Sequence, residues 1–67
     1  MSMLMRAIHW DDGNVLSFDE RGQKIPDLCG PYEEVRDRVL RDAGPDTMFL
    51  SGMARYGITN PVKKEEW

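Results

Sequence analysis

Few side chains in this sequence are of types that carry chemistry: one histidine, His9, one cysteine, Cys29, and acids set in two glycine-ended turns, Asp11-Asp12-Gly13-Asn14 and Asp19-Glu20-Arg21-Gly22. Zinc takes three or four protein ligands, commonly from paired Cys-x-x-Cys or His-x-x-x-His spacings, and a lone thiol with a lone imidazole supplies neither. Cys29 as a nucleophile with His9 as its base is the one catalytic pairing these residue types allow, and no local pattern supports it. The acidic tip at Asp11 could offer oxygens to a hard cation such as Ca²⁺. A calcium loop, however, alternates its acids over about twelve residues and closes on a glutamate, which this stretch does not do. Asp and Gly are equally what a hairpin turn requires. Gly52 and Gly57 are not followed by the lysine of a phosphate-binding loop. These residues predict no catalytic set, no metal and no cofactor.

Whatever the side chains do, a very small scaffold must position them. At 67 residues, with 40% hydrophobic and 31% charged residues, the chain is one domain whose folding buries roughly 60% of the unfolded surface. The usual per-residue scaling gives a stability of about 3–10 kcal/mol. One cysteine cannot pair within the chain, which favours a reducing, cytoplasmic setting. Arg6 interrupts the apolar start Met1-Ser2-Met3-Leu4-Met5, so no secretion leader is expected. No apolar run approaches the roughly 18 residues of a membrane span. Twelve acids against nine bases give a net charge of −3, a field that repels phosphate and ranks direct nucleic-acid binding low.

The pattern from Met3 to Trp10 alternates, as a strand requires, and Val15 to Phe18 forms a second strand. A two-residue Asp12-Gly13 turn would oppose Trp10 to Val15 and scatter the large apolar residues over both faces. A three-residue Asp11-Asp12-Gly13 loop opposes Ile8 to Leu16 and Arg6 to Phe18 instead. Leu4, Ile8, Trp10, Leu16 and Phe18 then share one face, predicted to be the buried one. A second turn at Asp19–Gly22 leads to a short third strand at Gln23–Ile25, stopped by Pro26. Pro31 opens a helix to Asp42 or Ala43, with Glu33 and Glu34 at the positive end of its dipole. Tyr32, Val35, Val39 and Ala43, with Leu40 beside them, form its apolar stripe. Glu34 with Arg38 and Asp37 with Arg41 form pairs four apart on its exposed side. Thr47–Ser51 reads as a buried strand, Met53–Thr59 as an extended continuation, and Val62–Trp67 as a mobile tail. The predicted fold is α+β in ββ(β)αβ order, a small antiparallel sheet packed against one helix, with the domain over residues 1–61.

These features point to a non-enzymatic module that occupies a surface of another protein. In a sharper version, Asp11, Asp12, Asp19, Glu20, Glu33, Glu34 and Asp37 imitate nucleic-acid phosphates, as in a phage-type inhibitor, with Tyr56 as an exposed anchor. The rival classes are a nucleic-acid binder using Arg36, Arg38, Arg41, Lys63 and Lys64, and a small enzyme built on Cys29. A sheet of three or four strands also has edges, so both a monomer and an edge-paired homodimer are compatible with the pattern.

Overall fold

The computed structural model describes residues 3–67. Its elements are β1 Leu4–Trp10, β2 Asn14–Asp19, β3 Gly30–Pro31, α1 Tyr32–Asp42, β4 Met48–Met53 and β5 Ile58–Pro61, with 3-10 turns at Pro26–Leu28 and Lys64–Glu66. The five strands lie in the order β3-β2-β1-β4-β5. β1 is antiparallel to β2 but parallel to β4, and the outer pairs are antiparallel. The fold is therefore α+β, with a mixed sheet where an antiparallel one was predicted. Residues 11–47, which include α1, supply the long crossover that a parallel pair needs.

The first hairpin closes in the three-residue register. Gly13 has φ 91° and donates its N–H to Trp10 O at 3.0 Å, and Ile8 lies opposite Leu16 and Arg6 opposite Phe18. The second turn also ends in a left-handed glycine, Gly22 at φ 81°. Asp19 Oδ1 accepts the N–H groups of Arg21 and Gln23, both at 2.9 Å, as a short side chain at a turn can. The third strand does not lie where the sequence placed it. Gln23–Ile25 contributes only the bridge between Phe18 and Lys24, Pro26 starts a 3-10 turn, and β3 forms later, at Gly30–Pro31. Gly57, at φ 63°, turns the chain back at residues 54–57, so β4–β5 is a hairpin and not one extended segment.

The shared register does not make the shared face the core. α1 lies over β1, β2 and β3 on the side of Ala7, Val15 and Ser17, each 0% exposed, and buries Val35 and Val39 against them. The residues beneath the helix are small, which lets it approach the sheet closely. Leu4 joins that side because a bulge at Met5 shifts the register between Leu4 and Arg6. Ile8, Trp10, Leu16 and Phe18 point the other way. On the helix side, β4 is roofed by residues 62–67, the stretch the sequence suggested as a tail. Trp67 is 6% exposed, packs edge-on against Phe49 at 5.2 Å, and donates its indole N–H to Leu50 O at 3.0 Å.

Ser17 ties the connection to the sheet, its hydroxyl donating to Leu28 O at 2.7 Å in a buried setting. Ser17→Ala leaves that carbonyl without this donor and is expected to cost about 1–3 kcal/mol. A urea titration checks this: the midpoint should fall with an unchanged slope.

Candidate functional site

The side of the sheet away from α1 is built of three cross-strand rows. Lys24, Phe18, Arg6 and Met48 form the first, and Leu16, Ile8, Leu50 and Pro61 the second. Trp10, Gly52 and Thr59 form the third, next to the end of β2. Trp10, Leu16 and Phe18 are half-buried and Met48 is 50% exposed. Ile8 and Leu50, in the middle row, are closed off by their neighbours. The Arg6 guanidinium lies 5.3 Å from the Phe18 ring centre, a cation–π contact. The Trp10 ring lies over Gly52, and its indole Nε1 is the one buried side-chain donor without a hydrogen-bond partner among the described residues.

The acids singled out from the sequence separate between the two ends of the sheet. At one end, Asp11 Oδ1 accepts the Ala54 N–H at 3.1 Å, Asp12 Oδ1 accepts the Asn14 N–H at 2.9 Å, and Tyr32 N–H donates to Gly13 O at 2.9 Å. Those contacts bring Asp11 and Asp12, the start of α1 with Glu33 and Glu34, and the turn carrying Tyr56 to a common end. Asp19 and Glu20 sit at the opposite end of β2, and Asp19 is 7% exposed with one oxygen held by its own turn. Asp37 is on the exposed side of α1, beside Arg36 at 3.4 Å, the one ion pair among the described residues. The predicted pairs four apart are not ion pairs here: Arg38 reaches the Glu34 carbonyl at 3.5 Å instead. Tyr56 is 60% exposed, with the Arg55 guanidinium 5.7 Å from its ring.

Glu20 Oε2 accepts the Met3 N–H at 2.7 Å, and this bond, with a further one from its own backbone amide, holds its carboxyl below the ordinary value of 4.5. A carboxyl with a lowered folded-state pKa adds stability above its unfolded pKa, and that stability is lost as the pH falls through the folded value. The carboxyl carbon of Glu20, followed by NMR, should titrate below 4.5. A midpoint at or above it would show that the Met3 contact does not persist.

His9 and Cys29 are engaged structurally. The His9 ring stacks on Tyr32 at 3.8 Å with an 8° interplanar angle, and the Tyr32 hydroxyl donates to Trp67 O and accepts from Arg36 Nε at 3.0 Å. Cys29 Sγ accepts the Ser17 N–H at 3.4 Å. Among the described residues no group of three His, Cys, Asp or Glu side chains is placed to hold a metal ion, and no helix is long and apolar enough to cross a membrane. Two open grooves of about 510 and 540 Å³ flank the Ala43–Thr47 connection; Phe49 and Val62 line one, and Leu4, Ile25 and Leu28 line the other.

The open face escaped the sequence reading because its apolar residues were assigned to the core. The available signal was Arg6, a cation inside the very set assigned to the interior. In class this is a small two-layer α+β protein with one sheet face that no other described element covers. No protein-family model, characterised protein or solved structure matches the chain.

Proposed function

We infer that this protein is a non-enzymatic binding module that occupies a surface of another protein through the uncovered face of its sheet. The observation that carries this reading is the apolar patch of Trp10, Leu16, Phe18 and Met48 over Ile8 and Leu50, with no described element of the chain above it. Contiguous apolar patches of this kind mark interaction sites, and Trp, Phe, Met and Arg are the residues enriched at interface centres. Occupying a partner's surface would block it, which is the action of an inhibitor. A cytoplasmic setting, suggested by the single free thiol, belongs to the same reading. The protein acts as a monomer or as a dimer paired through an edge strand, β5 being the longer of the two edges.

A second surface is favoured by the gathering of Asp11, Asp12, Glu33 and Glu34 at one end, where a phosphate-like pattern could engage a nucleic-acid-binding partner. The two are separated by capture from host lysate after nuclease treatment. Leu16→Asp is expected to abolish retention of a stoichiometric protein partner, and Asp12→Lys with Glu33→Lys to preserve it. The reverse result would move the binding site to the acidic end. Retention unaffected by either change would overturn both.

A further inference from the structure

We propose that the partner segment held on this face is an acidic amphipathic stretch of polypeptide, with apolar anchors on Leu16, Met48 and Pro61 above the buried Ile8 and Leu50, and its carboxylates at Arg6 and Lys24. The proposal rests on the reading of the open face as a protein-binding surface and adds the chemistry of what binds there. Its basis is charge segregation. The chain holds twelve acids against nine bases, yet none of the strand positions on this face is acidic, while the first row carries two cations either side of Phe18. Both cations are exposed, and neither forms an ion pair among the described residues. An anionic group arriving beside Phe18 therefore meets two unneutralised cations and no repelling carboxylate on the face. The charge is also one-sided: Trp10, Gly52 and Thr59 in the third row carry none. A bound segment is thus oriented, with its acids toward the first row.

The middle row decides between a polypeptide and a single-stranded nucleic acid. Strand binders of nucleic acid present successive aromatic platforms and cations that track the backbone. Here the middle row is Leu16, Ile8, Leu50 and Pro61, which offer no ring for a base to stack on. Phe18 already has the Arg6 guanidinium against its ring. Aliphatic side chains seat apolar anchors of a peptide, with the flanking cations steering and orienting it.

The test is fluorescence anisotropy with three labelled probes: a short peptide with leucines at helical spacing and glutamates elsewhere, the same peptide with lysines for glutamates, and an oligothymidine. The glutamate peptide is expected to bind, and raising the salt to weaken it. In wild-type protein, NMR shift changes should fall on Arg6, Leu16, Phe18, Lys24 and Met48. Arg6→Glu with Lys24→Glu should weaken binding by about tenfold, the scale of two partly exposed ion pairs, with a cooperative unfolding transition retained at a midpoint lowered only by the loss of the Arg6–Phe18 contact. If that double variant does not fold, Lys24→Ala, at an exposed position, carries the same comparison with a smaller loss. Equal or tighter binding of the lysine peptide overturns the proposal, and tighter binding of oligothymidine replaces the occupant by a nucleic acid. Binding of no probe, with lysate capture still sensitive to Leu16→Asp, overturns the acidic segment and leaves the protein-binding reading standing.

Discussion

Replacing Trp67 with alanine is expected to remove about a third or more of the folding free energy. Trp67 is 6% exposed, its ring meets Phe49 at 5.2 Å and Tyr32 at 5.4 Å, and its indole N–H satisfies Leu50 O at 3.0 Å. The Tyr32 hydroxyl also donates to Trp67 O, which ties residue 67 to the first turn of α1. Truncating a buried Trp to Ala costs about 3–5 kcal/mol, against a total of about 3–10 kcal/mol for a domain this small. The loss cannot be absorbed locally, because α1 covers β1, β2 and β3 and leaves Phe49 on β4 to be roofed by Trp67. Thermal melts followed by circular dichroism should show the midpoint falling steeply or the cooperative transition disappearing. Trp67→Phe keeps ring packing but lacks the N–H, so it should recover most of the difference. A midpoint within a few degrees of wild type for Trp67→Ala would mean that the 62–67 segment contributes no packing energy.

The second large effect is expected at Gly52. A Cβ on this residue would lie 2.4 Å from Cε3, 2.7 Å from Cζ3 and 2.8 Å from Cδ2 of Trp10. No side chain tolerates such separations, so Gly52→Ala must lift the indole off the sheet, at about 1–3 kcal/mol for an overpacked contact. Trp10 is half-buried at the end of β1, which gives the ring somewhere to go and places the effect below that of Trp67→Ala. The decisive measurement is a double-mutant cycle. In a Trp10→Ala background the obstacle is gone, and Gly52→Ala should be neutral or mildly stabilising, since alanine restricts the unfolded chain more than glycine does. Equal cost in both backgrounds would show that Gly52 is required for its backbone and not for the ring above it. Because Trp10 forms part of the open face, the proposed binding should weaken together with stability in the single variant.

Both effects arise from contacts that sequence neighbours do not reveal. Gly52 and Trp10 meet only because β4 lies parallel to β1 in a register that sets Trp10 opposite Gly52. The sequence placed β4, but the antiparallel sheet expected for it was wrong and its partner was not assigned, since a strand's own pattern is the same whichever way its neighbour runs. Trp67 follows a polar stretch, Lys63-Lys64-Glu65-Glu66, whose composition reads as solvated. Its burial depends on an unroofed gap left by α1, and that gap exists only in the assembled fold.

Local chemistry alone determined the first two turns and the helix. Gly13 and Gly22 adopt the positive φ that their acidic turns demand, and the polar loop with its alternating flanks set the register of Ile8 to Leu16 and Arg6 to Phe18. α1 ends at Asp42 before Gly44-Pro45, and buries Val35 and Val39 as its spacing requires. These are short-range consequences of backbone sterics and periodicity. Tertiary structure decided which face of the hairpin is interior. Alternation states which side chains share a side, and it is silent about which side the crossover covers. Here the helix landed on the small residues Ala7, Val15 and Ser17, where a close approach and the Ser17–Leu28 hydrogen bond are available. The larger set, Ile8, Trp10, Leu16 and Phe18, was left facing outward, and with it the surface on which the proposed function depends.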